Sequence, residues 1–196
     1  MAFRSMTVEE FAERLASRTP TPGGGAVAAV TAAHAAALGA MVLEFTVGRS
    51  KWAAHEAANR TALARLGELR AAALALADRD AAAYGALNAL WKLPADDPAR
   101  ASAWPAAVAE AIDAPQAILE LAAEVARTCG PLGASTNQNL ASDLAIACDL
   151  ARVAARSAAH NVTVNLPSLD GPADRDARRA RMEAALRDAG AGAAHP

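Results

Sequence analysis

Apolar residues recur along this chain at intervals of three and four, the spacing of a helix face. Val8, Phe11, Ala12 and Leu15 share one such face, and Thr7 with Glu10 is placed as a capping box in front of it. Prolines and glycines interrupt the pattern from Thr19 to Gly24. From there to about Val47 apolar residues fall on all sides, which predicts a helix surrounded by others. "GRSKW", Gly48 to Trp52, predicts a turn, followed by a long helical segment to Trp91 that is open to interruption at Gly67. "KLPADDP" reads as a loop. Helical spacing resumes over Ala99 to Cys129, where Pro105 and Pro115 predict a break or kink. "GPLGASTNQN" reads as a second loop and Asn139 to Leu166 as another helix. Pro172 then starts a charged final helix to Asp188, and the tail over 190–196 is expected to fray. No repeat or linker divides the chain. Residues 1–196 are therefore expected to form one all-α domain, an up-and-down bundle of long Ala-rich helices.

Composition sharpens this picture. Hydrophobic residues make up 54% and aromatic ones only 4%, with alanine dominant. Alanine favours helices and lets them pack closely, and β-branched and aromatic residues are too few for many strands. The net charge of −2, with no basic stripe, argues against a nucleic-acid partner. Cys129 and Cys148 stand in apolar surroundings without metal-ligand spacing, and are expected to be buried thiols in a reducing compartment. "MAFRSMTVEEF" lacks a signal-peptide core, and the one long apolar run, Gly24 to Gly48, carries His34 and Glu44. The expectation is a cytoplasmic protein that does not span a membrane.

The informative residues are those that break the apolar pattern. Leu66, Leu69, Ala73, Leu76, Asp80, Ala83, Leu87 and Leu90 form one stripe, and Asp80 is its only charged member. A carboxylate in an apolar seam is costly unless paired, and its pKa rises, as suits a general acid or base. The alternative is an ion pair with a neighbouring helix. Tyr84 lies one turn on. Asn139 and Asp143 are also one turn apart with Ser142 beside them, open to a capping role or to ligand contact. Asn161 and Asn165 form a further pair. Asp143 and Asn161 fall on one helix face roughly 27 Å apart. One small reacting centre cannot touch both, so either the ligand is long or the two ends serve different sites, with a dimer as one arrangement. Lys51 and Lys92 are the only lysines. His34 reads as a core or interface residue, and no metal site is expected. Pro22 leads into Gly23, Gly24 and Gly25 at a helix start, where unpaired amides offer an anion or carbonyl site. Close helix packing explains the glycines equally well. Neither a Walker loop nor a Rossmann fingerprint is present.

Taken together, "PTPGGGAVAA", "TVGRSKW", "DAAAY" followed by "LP", "NQNLASD" and "NVTVNL" come in order along the chain. This resembles the formimidoyltetrahydrofolate cyclodeaminase and methenyltetrahydrofolate cyclohydrolase family, the C-terminal half of formiminotransferase-cyclodeaminase. The likeness covers about Met6 to Leu169. It implies an all-helical obligate homodimer acting on a tetrahydrofolate derivative, with Asp80, in D-x-x-A-[FY] with Tyr84, as the catalytic aspartate. N-x-N-x-x-S-D falls on Asn137, Asn139, Ser142 and Asp143, with Gln138 where relatives often have Pro. The activity implied is ring closure with ammonia release, the alternative being methenyltetrahydrofolate hydrolysis. Asp80 would shuttle a proton. Asp143, Asn139 and Ser142 would orient the pterin, and the Gly23–Gly25 amides with Lys51 would receive an anionic or carbonyl end. No cofactor is expected, because no electrons move, and a separate formiminotransferase is a possible partner. Outside this reading stand an enzyme of another amidine or cyclic imine and a non-catalytic helical dimer.

Overall fold

The computed structural model describes residues 2–190, and among them every regular element is a helix. Helix α1 (Val8–Ala16) starts with the expected capping box, Thr7 accepting from the Glu10 amide and Glu10 from the Thr7 amide. Its expected apolar face finds little to cover it: α1 buries no residue and Val8 is 81% exposed. The anchor of this segment is instead Phe3, which is buried, meets Phe11 edge-on at 5.8 Å and donates its amide to Asp78 Oδ1 at 2.6 Å.

Four long helices make the bundle: α2 (Gly24–Glu44), α3 (Glu56–Trp91), α4 (Pro98–Cys129) and α5 (Ala141–Asn165). They run alternately up and down, and each packs on the next, with α5 returning to α2. Alanines on α2 allow this closeness. Ala26, Ala28, Ala29, Ala32, Ala33, Ala35 and Ala36 are all buried. At Gly39 a Cβ would stand 2.7 Å from Cys129 Sγ, so glycine sets the approach of α4 there. By length and mean hydropathy of 1.9, α2 would cross a membrane, but 61% of that window is buried among the other helices. The burial is three-sided rather than complete: Thr31, Leu38 and Met41 are half-buried, His34 is exposed, and Phe45 at its end is 53% exposed.

Several boundaries differ from the sequence reading for local reasons. Helix α2 stops at Glu44 rather than Val47. The buried Thr46 hydroxyl donates to Val42 O at 2.7 Å and accepts the Asn137 amide at 3.0 Å, tying the end of α2 to the start of α5. Gly48, at φ +76°, then reverses the chain. Gly67 does not interrupt α3, because Leu66 and Leu69 bury the turn around it and one glycine costs only about 1 kcal/mol. Likewise α4 continues through Pro105 and Pro115. Pro115 is itself buried, between Ala114 and Gln116, so packing holds the turn that the lost hydrogen bond weakens.

Helix α6 (Pro172–Asp188) lies across α4, with Arg178 paired to Asp113 and Arg181 to Glu120. Gly190, at φ +64°, closes it, and the remainder of the tail expected to fray lies outside the described residues. Both cysteines are free and buried, and burial pushes the Cys129 thiol up to about 12.

Candidate active site

The mouth of α2 answers what the three glycines do. Pro22, joined to Thr21 by a cis peptide bond, is buried and leads into Gly23, the N-cap of α2. Across from it, α3 presents Asp80. A Cβ on Gly25 would overlap the Asp80 carboxyl group. Only glycine lets that carboxylate lie against the first turn of α2. A Cβ on Gly24 would be 3.6 Å from Asn161 Oδ1, while Gly23 has open space around it. The cost of glycine in a helix is thus offset at Gly25 by the approach of a functional group rather than by helix packing.

Asp80 is half-buried and takes part in none of the ion pairs among the described residues. Its chain neighbours are engaged elsewhere: Asp78 accepts from the Phe3 amide and Arg79 pairs with Glu110. Burial pushes the Asp80 carboxyl up from 3.8 to about 6, and the Ala26 amide pulls it only partly back. Desolvation outweighs the helix-mouth hydrogen bond, so the group titrates about a unit below neutrality with no charged partner.

A cavity of about 280 Å³ opens beside it, lined by Pro20, Thr21, Gly23, Gly24, Gly25, Asp80, Tyr84, Ala111, Asn161, Val164 and Asn165. Asn165 Nδ2 donates to Ala111 O at 2.8 Å, which fixes the side chain and leaves its Oδ1 without a protein partner among the described residues. Asn161 Nδ2 makes only a long 3.4 Å bond to Ser157 O. The site therefore combines a proton-holding carboxyl, two carboxamides and the free amides of a helix N-terminus.

Five further residues from the sequence reading stand at the opposite end of the bundle. Lys51 is exposed, its Nζ 4.9 Å over the Trp52 ring, beside an open basin that also includes Phe45, Arg49 and Asn137. Asn137 Oδ1 accepts the Asn139 amide at 3.1 Å, a capping contact. Asn139 and Ser142 are exposed and Asp143 is half-buried. The unbroken α5 sets Asp143 roughly 27 Å from Asn161, and α2 sets Gly24 about 30 Å from Glu44. Within one chain Lys51 therefore does not join the Gly23–Gly25 amides, and Asn139, Ser142 and Asp143 do not reach a heterocycle held at Asp80. Sequence reasoning also missed Pro20, Thr21, Ala111 and Val164. Ala111 acts through its backbone carbonyl, for which one alanine among many gives no signal. Among the described residues no three His, Cys, Asp or Glu side chains converge as a metal site.

A helical bundle with a desolvated carboxyl at a helix mouth presents a group able to take and return a proton. The family model described as Formiminotransferase-cyclodeaminase matches residues 7–189, and the chain belongs to that family. It is 34% identical over 189 residues to methenyltetrahydrofolate cyclohydrolase of Methylorubrum extorquens, covering 94% of this chain and 91% of that protein. It is 32% identical over 183 residues to formimidoyltransferase-cyclodeaminase of Sus scrofa, covering 91% of this chain but only 34% of that longer protein. The crystal structure of formiminotetrahydrofolate cyclodeaminase from Thermotoga maritima superposes with a TM-score of 0.80 at 26% identity, covering 95% of this chain and 94% of that one.

Proposed function

We propose that this chain is an enzyme of folate one-carbon metabolism that rearranges the carbon joined to N5 or N10 of tetrahydrofolate, with Asp80 as its proton shuttle. The observation that carries the reading is the Asp80 carboxyl, unpaired, raised to about 6 and set between the α2 mouth and a cavity. In ring closure, N10 attacks the carbon of the protonated formimino group on N5, N5–CH=NH2⁺, and gives up its own proton to the carboxylate. The tetrahedral carbon then carries N5, N10 and an amino group. Asp80 returns the proton to that amino group, ammonia leaves, and the methenyl bridge remains. A group near 6 is mostly ionised at pH 7 and able to take the proton, yet basic enough to hold it until the return. Asn161 and Asn165 offer hydrogen bonds to the heterocycle, and the Gly24 and Gly25 amides favour a carbonyl or negative charge. No redox cofactor enters, because no electrons are transferred.

Hydrolysis of the methenyl bridge is the second reading, favoured by the 34% identity over nearly the whole length of a cyclohydrolase. Water then replaces N10 as nucleophile and gives one proton to Asp80, which passes it to N5 as the bond to carbon breaks; the hydroxyl left on the carbon releases its proton to solvent and becomes the carbonyl of a formyl group on N10. Ammonia release from 5-formiminotetrahydrofolate, set against loss of methenyl absorbance, separates the two. An inert protein in both assays would defeat the proposal.

The reading includes a cytoplasmic homodimer. The open stripe of α2 and the outward face of α5, where Ile146 and Val153 are 50% and 43% exposed, carry the two polar clusters at opposite ends. A second copy laid antiparallel on this face covers it and brings the partner's Lys51, Asn139, Ser142 and Asp143 toward the Asp80 cavity. For formimino substrates, a separate formiminotransferase would supply the ligand.

A further inference from the structure

The cavity beside Asp80 is small for a substrate with an aromatic tail, since sites for drug-sized ligands typically run from about 300 to 1,000 Å³. The surface that continues it is aromatic. Tyr84 lines the cavity, and its ring meets Trp91 edge-on at 6.3 Å and 71°. Trp91 meets Trp104 at 6.4 Å and 62°. The chain's one tyrosine and two of its three tryptophans thus stand in a row where α3 turns into α4. Tyr84 and Trp91 are 41% and 45% exposed, so ring surface on both is accessible for stacking.

The far end of the row is cationic. The Arg100 guanidinium lies 4.8 Å over the Trp104 ring and is fixed there by donating to Leu93 O at 3.0 Å. Lys92, exposed, follows Trp91 at the end of α3. Of the two acids in this loop, Asp97 is committed to the Ala99 and Arg100 amides as the cap of α4, and Asp96 is exposed.

The geometry points to a second subsite: Tyr84 and Trp91 stack the aromatic amide that joins the substrate's heterocycle to its tail, and Arg100 receives the tail carboxylate. This rests on the folate reading of the cavity. The heterocycle fills the cavity, the reacting carbon stands beside Asp80, and the tail leaves along α3. The row is continuous with the cavity through Tyr84, which makes the substrate's own tail its occupant.

Steady-state kinetics on Trp91→Ala and Trp91→Phe, with the preferred folate substrate, test this. Trp91→Ala is expected to raise KM about tenfold, the size of one lost stacking contact, with kcat within about twofold. Trp91→Phe, which keeps a ring, is expected to restore KM to within about threefold. Arg100→Ala is expected to weaken the glutamate-bearing substrate and leave its pteroate form, which lacks the glutamate, unaffected. An unchanged KM in folded Trp91→Ala overturns the subsite. Should that variant not fold, tryptophan fluorescence with unreactive 5-formyltetrahydrofolate decides: quenching in wild type that is reduced in Trp91→Phe supports stacking, and equal quenching in both overturns it. Failure of wild type to bind this probe at all defeats the folate reading itself, whereas binding that no Trp91 variant disturbs defeats the subsite alone.

Discussion

Asp80→Asn is expected to lose catalysis and gain stability together. The substitution keeps the shape of the side chain and removes its charge and its proton. Unfolded, the carboxyl ionises near 3.8; folded, burial holds it at about 6. Ionisation therefore favours the unfolded chain by about 1.4 kcal/mol for each unit of difference, or roughly 2–3 kcal/mol after allowance for water at the cavity mouth. The sign follows from the raised value. The relative stability that Asp80 confers is full below about pH 4 and is lost as pH rises through about 6. The asparagine variant suffers no such loss. Urea denaturation is expected to show little pH-dependent difference between the two proteins near pH 4, a gap opening through pH 4–6, and a plateau above it with the variant more stable. Over the same range turnover is expected to fall by about 10² or more, since both removal and return of the proton are lost. A variant less stable than wild type, by a margin that grows with pH, would refute the reasoning, because it would mean the carboxylate is held by a favourable partner.

Two further outcomes follow from the same geometry. Gly25→Ala drives a methyl into the Asp80 carboxyl and is expected to cost about 1–3 kcal/mol of stability and at least about tenfold in turnover, whereas Gly67→Ala, with nothing within 4 Å of the added methyl, is expected to gain about 1 kcal/mol at unchanged turnover; urea melts and initial rates check both, and wild-type turnover in Gly25→Ala would remove the close approach from the account. Inactive Asp80→Asn and Lys51→Ala proteins, mixed and allowed to exchange subunits, are expected to regain about a quarter of wild-type activity, since each mixed dimer holds one intact composite site. Recovery no greater than the sum of the separate proteins, or full activity of Lys51→Ala alone, would place Lys51 outside the site.

Asp80 was legible in the sequence because a single charge interrupts a long apolar stripe, and such a breach needs a physical reason. The α2 mouth was legible as a feature but not in its cause. Nothing in "PGGG" says that the third glycine rather than the second faces the carboxylate, since that depends on how α3 lies across α2. Asn161 and Asn165 were legible as a one-turn pair, and their spacing from Asp143 on one unbroken helix already set the distance between the two polar clusters. The grouping of Lys51 with the Gly23–Gly25 amides ignored the equal length of α2 between them. Prolines at 105 and 115 read as a break or kink, and at Pro115 local rules omit the packing of α4 against its neighbours that holds the helix through it. The open stripe of α2 was hidden because Leu38, Met41 and Phe45 are apolar whether they face a neighbour or solvent.

The central claim is that one carboxyl is largely withdrawn from water without a charged partner and titrates where it can trade a proton. A ¹³C carboxyl chemical-shift titration of Asp80 in the folded protein measures this directly. The account predicts a midpoint near 6. A midpoint at or below the ordinary aspartate value of about 4 would contradict it.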